Sequence, residues 1–343
     1  MAKTLLGIEI GNFTLKIAEC CEGKVQKMAV AELPDNYVRD GEIISWEAMA
    51  EFLQETIKKE HFTCKRAAFI LPENKVYIRR VTLPAMTVAQ LKVNLPYEFH
   101  DFITEDKDKY FYDYSVIEMR EDEEGKPKEM ELLAAATKKS TIEKYRTMCK
   151  RAGLRLTIAA PEALALQYIV HHYIEQMQKL KEDEKEVPKT NPNYALLDLG
   201  HGFCRINIFT SGDYDVSRSM DPGLNALTQV IVEKQEVDPH IAEIYKAQNQ
   251  GDILTCEESE RLYNHIAVEI MRVINFYSFN QPTSALDKIY YYGGGAHIKP
   301  LLDEIQEVIE PKLVPIAELF TEHTGEYEDL MAAPAAIGIT MEE

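Results

Sequence analysis

Along residues 6–17 an apolar strand carrying one carboxylate runs into a glycine, a short polar loop and a lysine, the pattern of a hairpin. Residues 67–72 are almost continuously apolar, as a buried strand is, and 75–83 alternate well enough for a second strand. Thr87-Val88-Ala89-Gln90 writes a capping box at a helix start, and Pro96 limits or kinks that helix. Two further strands are predicted over 110–119 and 130–137, joined by the acidic turn 121–125. Ser140 is placed to cap a helix that runs to Arg151, and Gly153 ends it. From Pro161, read as the first helical residue, Leu164, Tyr168, Ile169, Tyr173 and Ile174 recur at helical spacing until the pattern decays into the charged run 181–186. Residues 187–193, with two prolines, then read as a linker.

Beyond the linker a strand begins at Tyr194, and the first hairpin is written again. Glu9, Gly11 and Lys16 return as Asp198, Gly200 and Arg205, at the same spacing. A tip glycine lets backbone N–H groups approach an anion, and a carboxylate just upstream suits a magnesium ion or its water shell. Two copies imply two related lobes gripping one phosphorylated ligand from opposite sides. Pro222-Gly223 precedes a helix over 224–234, Asp238-Pro239 opens another through Lys246, and 257–279 forms a third. A strand over 288–292 then enters Gly293-Gly294-Gly295-Ala296, followed by a helix from Ile298 with Pro300 in its first turn. Strand, glycine run and helix in that order set backbone amides and a helix N-terminus beside a ligand. The pattern as a whole predicts an α/β protein of two lobes with a small α+β insertion in the first.

Composition narrows what such a chain does. Its 343 residues exceed one compact core and suit two domains. The net charge of −19, with only short basic clusters such as Lys138-Lys139, argues against nucleic acid and towards a basic partner. The first apolar run is too short for a signal peptide and is interrupted by Glu9, and none approaches the length of a membrane span. Six cysteines without a CxxC pair give neither a metal site nor a disulfide framework, so the chain reads as reduced and cytosolic.

No hydrolase triad or paired-carboxylate arrangement is legible. Catalysis, if any, is phosphoryl transfer, with Glu9 and Asp198 as the carboxylates placed by motif and Asp198 as the candidate catalytic residue. Lys16 and Arg205 either reach phosphate or face solvent, the latter slightly favoured for Arg205. The glycine run is either a flexible turn or a flat surface for adenine. Glu243 and Lys246, three apart on one helix face, make either a surface salt bridge or a ligand contact. His201 sits in the second loop, whereas His171 and His172 are assigned to the surface of the long helix.

These residues together resemble the actin-like nucleotide-binding superfamily, a ribonuclease H-type two-lobed ATPase fold. The insertion resembles the 1C subdomain of FtsA. Within that group the sequence is similar to the PilM family of type IV pilus assembly proteins, over residues 6–19, 69–86, 132–139, 152–154 and 161–166. Leu83-Pro84-Ala85-Met86 is the most family-specific segment, and Ala242-Glu243-x-x-Lys246 and Pro334-Ala335-Ala336-Ile337-Gly338-Ile339 also match.

The resemblance implies ATP bound with magnesium between the lobes. Carried onto this sequence, Gly11, Asn12, Phe13, Thr14 and Lys16 form the first phosphate loop, and Gly200, His201 and Gly202 the second. Gly293, Gly294, Gly295 and Ala296 meet adenosine, Glu243 and Lys246 lie on the nucleotide side, and magnesium lies near Glu9 and Asp198. The implied subdomains are 1–66 with 155–187 (1A), 67–154 (1C), a linker over 188–192, 193–223 with 286–343 (2A), and 224–285 (2B). The implied partner is the cytosolic N-terminal peptide of a PilN-like inner-membrane protein, held in a groove between the first lobe and 1C. That recruits a cytoplasmic protein to the inner face of the membrane; the pilus motor ring and a homo-oligomer are further implied partners. Departures from the family pattern matter: Glu9 replaces aspartate, Asn12-Phe13 replace small serine-like residues, Cys204 and Arg205 replace a threonine-type pattern, and Ala160 replaces an acid. They favour holding a nucleotide over hydrolysing it, so the chain is expected to be at most a weak ATPase. An FtsA-like filament former is the alternative, although the chain ends without the amphipathic helix that role uses; a small-molecule kinase is a third reading.

Overall fold

The two hairpins each seed a sheet, and the sheets share one topology. We describe a computed structural model over residues 4–39, 41–183, 193–281, 285–320 and 326–341. The expected linker 188–192 and the charged run past Asp183 lie outside the described residues. In chain order the first half contains β1 (Thr4–Ile10), β2 (Thr14–Cys21), β3 (Lys24–Glu32), β4 (Val38–Arg39), β5 (Glu42–Ile43), α1 (Trp46–Lys59), β6 (Arg66–Leu71) and β7 (Val76–Pro84). It continues with α2 (Val88–Asn94), β8 (Tyr110–Glu121), β9 (Pro127–Lys138), α3 (Lys139–Arg151), β10 (Arg155–Pro161) and α4 (Glu162–Asp183). The second half contains β11 (Tyr194–Leu199), β12 (Cys204–Thr210), β13 (Asp213–Met220), α5 (Asn225–Gln235), α6 (Pro239–Gln248) and α7 (Glu257–Asn280). It ends with β14 (Lys288–Tyr292), α8 (Lys299–Val308), β15 (Lys312–Pro315), α9 (Tyr327–Ala332) and α10 (Pro334–Gly338).

The sheets run β10-β6-β1-β2-β3 and β15-β14-β11-β12-β13, antiparallel through β1-β2-β3 and β11-β12-β13 and parallel on the other side of β1 and β11. Glu9 stands opposite Lys16 and Asp198 opposite Arg205, so the repeat seen in the sequence is also a repeat in register. Leu6, Ile8 and Ile17 pack against Leu53 of α1 and Tyr145 and Met148 of α3. On the other face Ala18 and Ile70 meet Leu166 and Ile169 of α4 and Ile337 of α10, and this core continues into the second lobe through Leu196, Phe209 and Tyr290. The outer face of the second sheet buries Ile206 and Ile289 against Ile231, Ile266, Ile270 and Leu301. Helices 5 to 7 therefore share the core of their lobe.

Local signals explain several boundaries. Thr87 and Gln90 form the expected reciprocal cap of α2, which passes at Leu95-Pro96 into a 3-10 turn. Ser45 caps α1 by accepting from the Ala48 N–H. Two expectations shift. α3 begins at Lys139, directly out of β9, so Ser140 lies inside the helix and no side chain caps its start. Pro161 closes β10, and Glu162 is the first helical residue of α4.

The expected boundaries shift for similar reasons. Of the stretch 67–154, β6 belongs to the first sheet and α3 packs on α1, which leaves 76–138 with a core of its own around Val81, Leu91, Phe99 and Leu132. Residues 334–341, expected in the second lobe, cross back onto β1 and α4 of the first. Strands β3, β4, β5, β10, β13 and β15 and helices α1 and α9 appear without a corresponding expectation.

Candidate functional site

Both hairpins bring their loops to the cleft between the lobes. In the first loop the Gly11 N–H donates to the Thr14 carbonyl (2.9 Å), Asn12 Oδ1 accepts from the Gly41 N–H (2.7 Å), and the Phe13 carbonyl accepts from Leu33 (2.9 Å). In the second, the Gly200 and His201 carbonyls accept from the Leu224 and Asn225 N–H groups (2.9 and 2.7 Å), which occupies donors at the start of α5. The loop tips touch: the rings of Phe13 and His201 stack with centroids 5.0 Å apart and planes 11° from parallel. Burial lowers the pKa of His201, so the imidazole in that stack is neutral near pH 7.

Behind the tips lies a cluster of charges. Lys16 Nζ is 2.6 Å from Glu9 Oε1. Burial opposes the lysine charge, yet Glu9 and Asp198 together hold its pKa above the ordinary value. Arg205 is 8% exposed, so it does not face solvent, contrary to the reading slightly favoured from sequence. It makes 2.7 Å ion pairs with Glu73 and with Glu162, and its Nε donates to Ser219 Oγ (3.2 Å). Tyr292 donates to the other oxygen of Glu162 (2.8 Å). Four carboxylates, Glu9, Glu73, Glu162 and Asp198, thus meet two cations. Burial first, then the Glu162 charge, raises Asp198 to about 8, and burial likewise raises Glu9. This cluster is short of positive charge.

The other expected residues fall around this centre. Glu243 and Lys246 form a partly buried pair 2.6 Å apart and bracket the Thr228 hydroxyl of α5, to which Lys246 donates (2.9 Å). The pair is therefore no ordinary surface bridge. Gly293 has φ +92°, and a Cβ there would lie 2.3 Å from Asp198 Oδ1; Gly295 packs on Leu199 and Leu224. Gly294 has open space where a side chain would be, so within the run it is the position at which a flat ring can rest, and Ala296 follows in the same 3-10 turn. His171, expected at the surface, ties α4 to Asp213 of the second lobe (3.2 Å).

Glu73, Glu162 and Tyr292 were not anticipated. For Glu162 the signal was present, since it stands two residues after Ala160, where an acid was missed; Ala160 itself is buried in β10. Among the described residues no group of three or more His, Cys, Asp or Glu lies close enough to ligate a metal directly.

At the mouth of the cleft His240 of α6 reaches Asp35 (3.3 Å) and Glu32 (3.4 Å) of the first lobe. Its pKa is raised, by Asp35 first and then Glu32, above the ordinary 6.5. A raised folded-state value means the contact is fully present below pH 6.5 and is lost as pH rises through the raised value. An NMR titration is expected to place the His240 midpoint above 6.5, and Asp35→Asn with Glu32→Gln to return it there.

A second concavity lies outside the cleft. Where β6 and β10 end, at Leu71, Ala159 and Pro161, the sheet β7-β9-β8 stands over them and encloses about 280 Å³. Val76, Phe111, Asp113, Ala135, Thr137 and Ile142 complete its mostly apolar walls.

Two lobes of one topology, a helix between them, and paired glycine loops meeting across the cleft define the actin-like ATPase fold. The chain belongs to the family of the type IV pilus assembly protein PilM, whose model matches residues 7–329. Among solved structures it is similar to the PilM–PilN type IV pilus biogenesis complex, at TM-score 0.78 and 15% identity over 99% of both chains. It is also similar to the ethanolamine utilization protein EutJ from Carboxydothermus hydrogenoformans, at TM-score 0.59 and 13% identity over 99% of this chain and 89% of the other. Among the described residues no helix is long and apolar enough to cross a membrane.

Proposed function

We propose that this chain is a cytoplasmic assembly scaffold of a type IV pilus, recruited to the inner membrane by holding the N-terminal peptide of a PilN-like protein. The observation that carries this reading is the apolar groove under the β7-β9-β8 sheet, in a chain of the PilM family. Its apolar lining and volume of about 280 Å³ suit a peptide segment inserting small apolar side chains between Leu71, Ala135 and Pro161. Isothermal titration with a synthetic N-terminal peptide of a PilN-like protein is expected to give saturable one-to-one binding. Ala135→Trp, which fills the groove, is expected to weaken it at least tenfold, about 1.4 kcal/mol. Absence of binding, with and without ATP, would sink the proposal.

We propose further that ATP with magnesium occupies the cleft. The excess of carboxylates fits a hydrated divalent cation, and the opening at Gly294 fits a purine. Bound magnesium would supply electrostatic neutralisation of the phosphates. Glu9 and Asp198 would orient its waters, while Glu243 and Lys246 face the nucleoside side. With its pKa raised to about 8, Asp198 is mostly protonated near pH 7 and is a poor base for an attacking water, which suits holding better than cutting. Phe13 and His201 must unstack to admit phosphates. Because an aromatic pair contributes about 0.5–1.5 kcal/mol, Phe13→Ser is expected to tighten nucleotide binding by about 2- to 12-fold, measured by titration with a fluorescent ATP analogue.

A further inference from the structure

We infer that Arg205 is the positioning residue through which the cleft and the peptide groove sense one another; the inference rests on the two sites proposed above. The groove floor is made by the ends of two neighbouring strands, and Leu71 of β6 and Pro161 of β10 stand side by side in register. One residue past Pro161 is Glu162, and two past Leu71 is Glu73. Arg205 holds both carboxylates at 2.7 Å, one through each terminal nitrogen. It belongs to the other lobe, on β12, where it stands opposite Asp198 of the cleft. One planar guanidinium thus staples both strand ends of the groove floor to the strand that carries the second loop.

This geometry couples the sites because the arginine cannot follow the second lobe and keep both bonds. Its fork is rigid, and its two partners follow the ends of separate strands of the first sheet, Glu73 in the 3-10 turn after β6 and Glu162 at the start of α4. Phe13 and His201 meet across the same cleft, so parting them to admit a ligand shifts β12 against β6 and β10. Ser219 and the Phe203 ring, 4.7 Å from the guanidinium, hold Arg205 to its own lobe while this happens. Glu73 and Glu162 then move or are released, and Leu71, Val76 and Pro161 with them. Two states of one staple, each favoured by a different ligand, supply the differential contact that coupling requires.

The test uses Glu73→Gln, because the Glu73 side chain is half exposed and its neutralisation turns one charged arm of the staple into at most a neutral hydrogen bond without leaving a buried charge. The full chain is titrated with the synthetic PilN-like peptide in the presence and absence of saturating ADP and magnesium, and thermal melts confirm that the variant is folded. In the wild-type chain ADP is expected to change the peptide dissociation constant at least fivefold, with the peptide changing ADP affinity by the same factor. In Glu73→Gln both ligands are expected to bind, with the factor reduced below twofold. A factor that survives in Glu73→Gln, or a wild-type factor near one with both ligands bound, overturns the relay alone. Failure of the wild-type chain to bind one of the ligands overturns the reading beneath it, and the relay with it.

Discussion

Gly7→Ala is expected to be the most damaging single methyl group that can be added to this protein. β1 is the central strand of the first sheet, and α10 crosses it so closely that a Cβ at position 7 would lie 1.7 Å from the Ala336 carbonyl oxygen and 2.8 Å from its carbon. No rotamer relieves this, because the clash is with backbone. The helix itself is fixed from behind, where Gly338 passes Ala165 of α4 at a distance that also excludes a side chain. Overpacking a rigid core costs about 1–3 kcal/mol and sometimes more, and here the expected cost is at or beyond the upper end. That is a large share of the roughly 5–15 kcal/mol that stabilises a native domain. Denaturant unfolding measures it. Gly294→Ala is the control: nothing lies within 4 Å of its added carbon, and the expected change is within about 0.5 kcal/mol.

The second large effect is expected at Arg205. Arg205→Met keeps much of the volume but removes the charge that sits between Glu73 and Glu162. Glu73 can turn to water, being half exposed, whereas Glu162 stays beside Asp198 and Glu9 with only the Tyr292 hydroxyl on one oxygen. Breaking one side of a buried ion pair typically costs about 3–5 kcal/mol. The expected loss is in that range near pH 7. Replacing both, as Arg205→Met with Glu162→Gln, is expected to recover much of the loss in the same denaturant experiment, since no uncompensated charge is left.

What the sequence revealed and what it withheld follow from range. The hairpin repeat was legible because its contacts are local: Glu9 and Lys16, or Asp198 and Arg205, are set opposite each other by a turn of a few residues. The cap of α2 and the strand Lys288–Tyr292 before the glycine run were legible for the same reason. Helix α1 had readable signals in Ser45 and in the spacing of Met49, Leu53 and Ile57, yet its mixed polar face hides them in a linear reading. The role of Arg205 was not readable, since its partners lie far away in sequence and meet it only when the lobes close on α4. An alternating strand predicts which face a side chain takes, not whether another lobe covers that face. Likewise, 67–154 reads as one insertion, although its ends are claimed by the first sheet and by α1. The glycine run was legible as a run but not in its division of labour, in which Gly293 and Gly295 make room for Asp198 and Leu199 while Gly294 stays open.

The groove is the proposed seat of the partner peptide, and hydrogen exchange of the full chain with and without the synthetic PilN-like peptide tests that placement. Slowed exchange is expected over residues 71–76, 111–113 and 135–137, which line the groove, with helices α6 and α7 unchanged. Binding of the peptide with protection confined to the second lobe, and none at the groove, would contradict it.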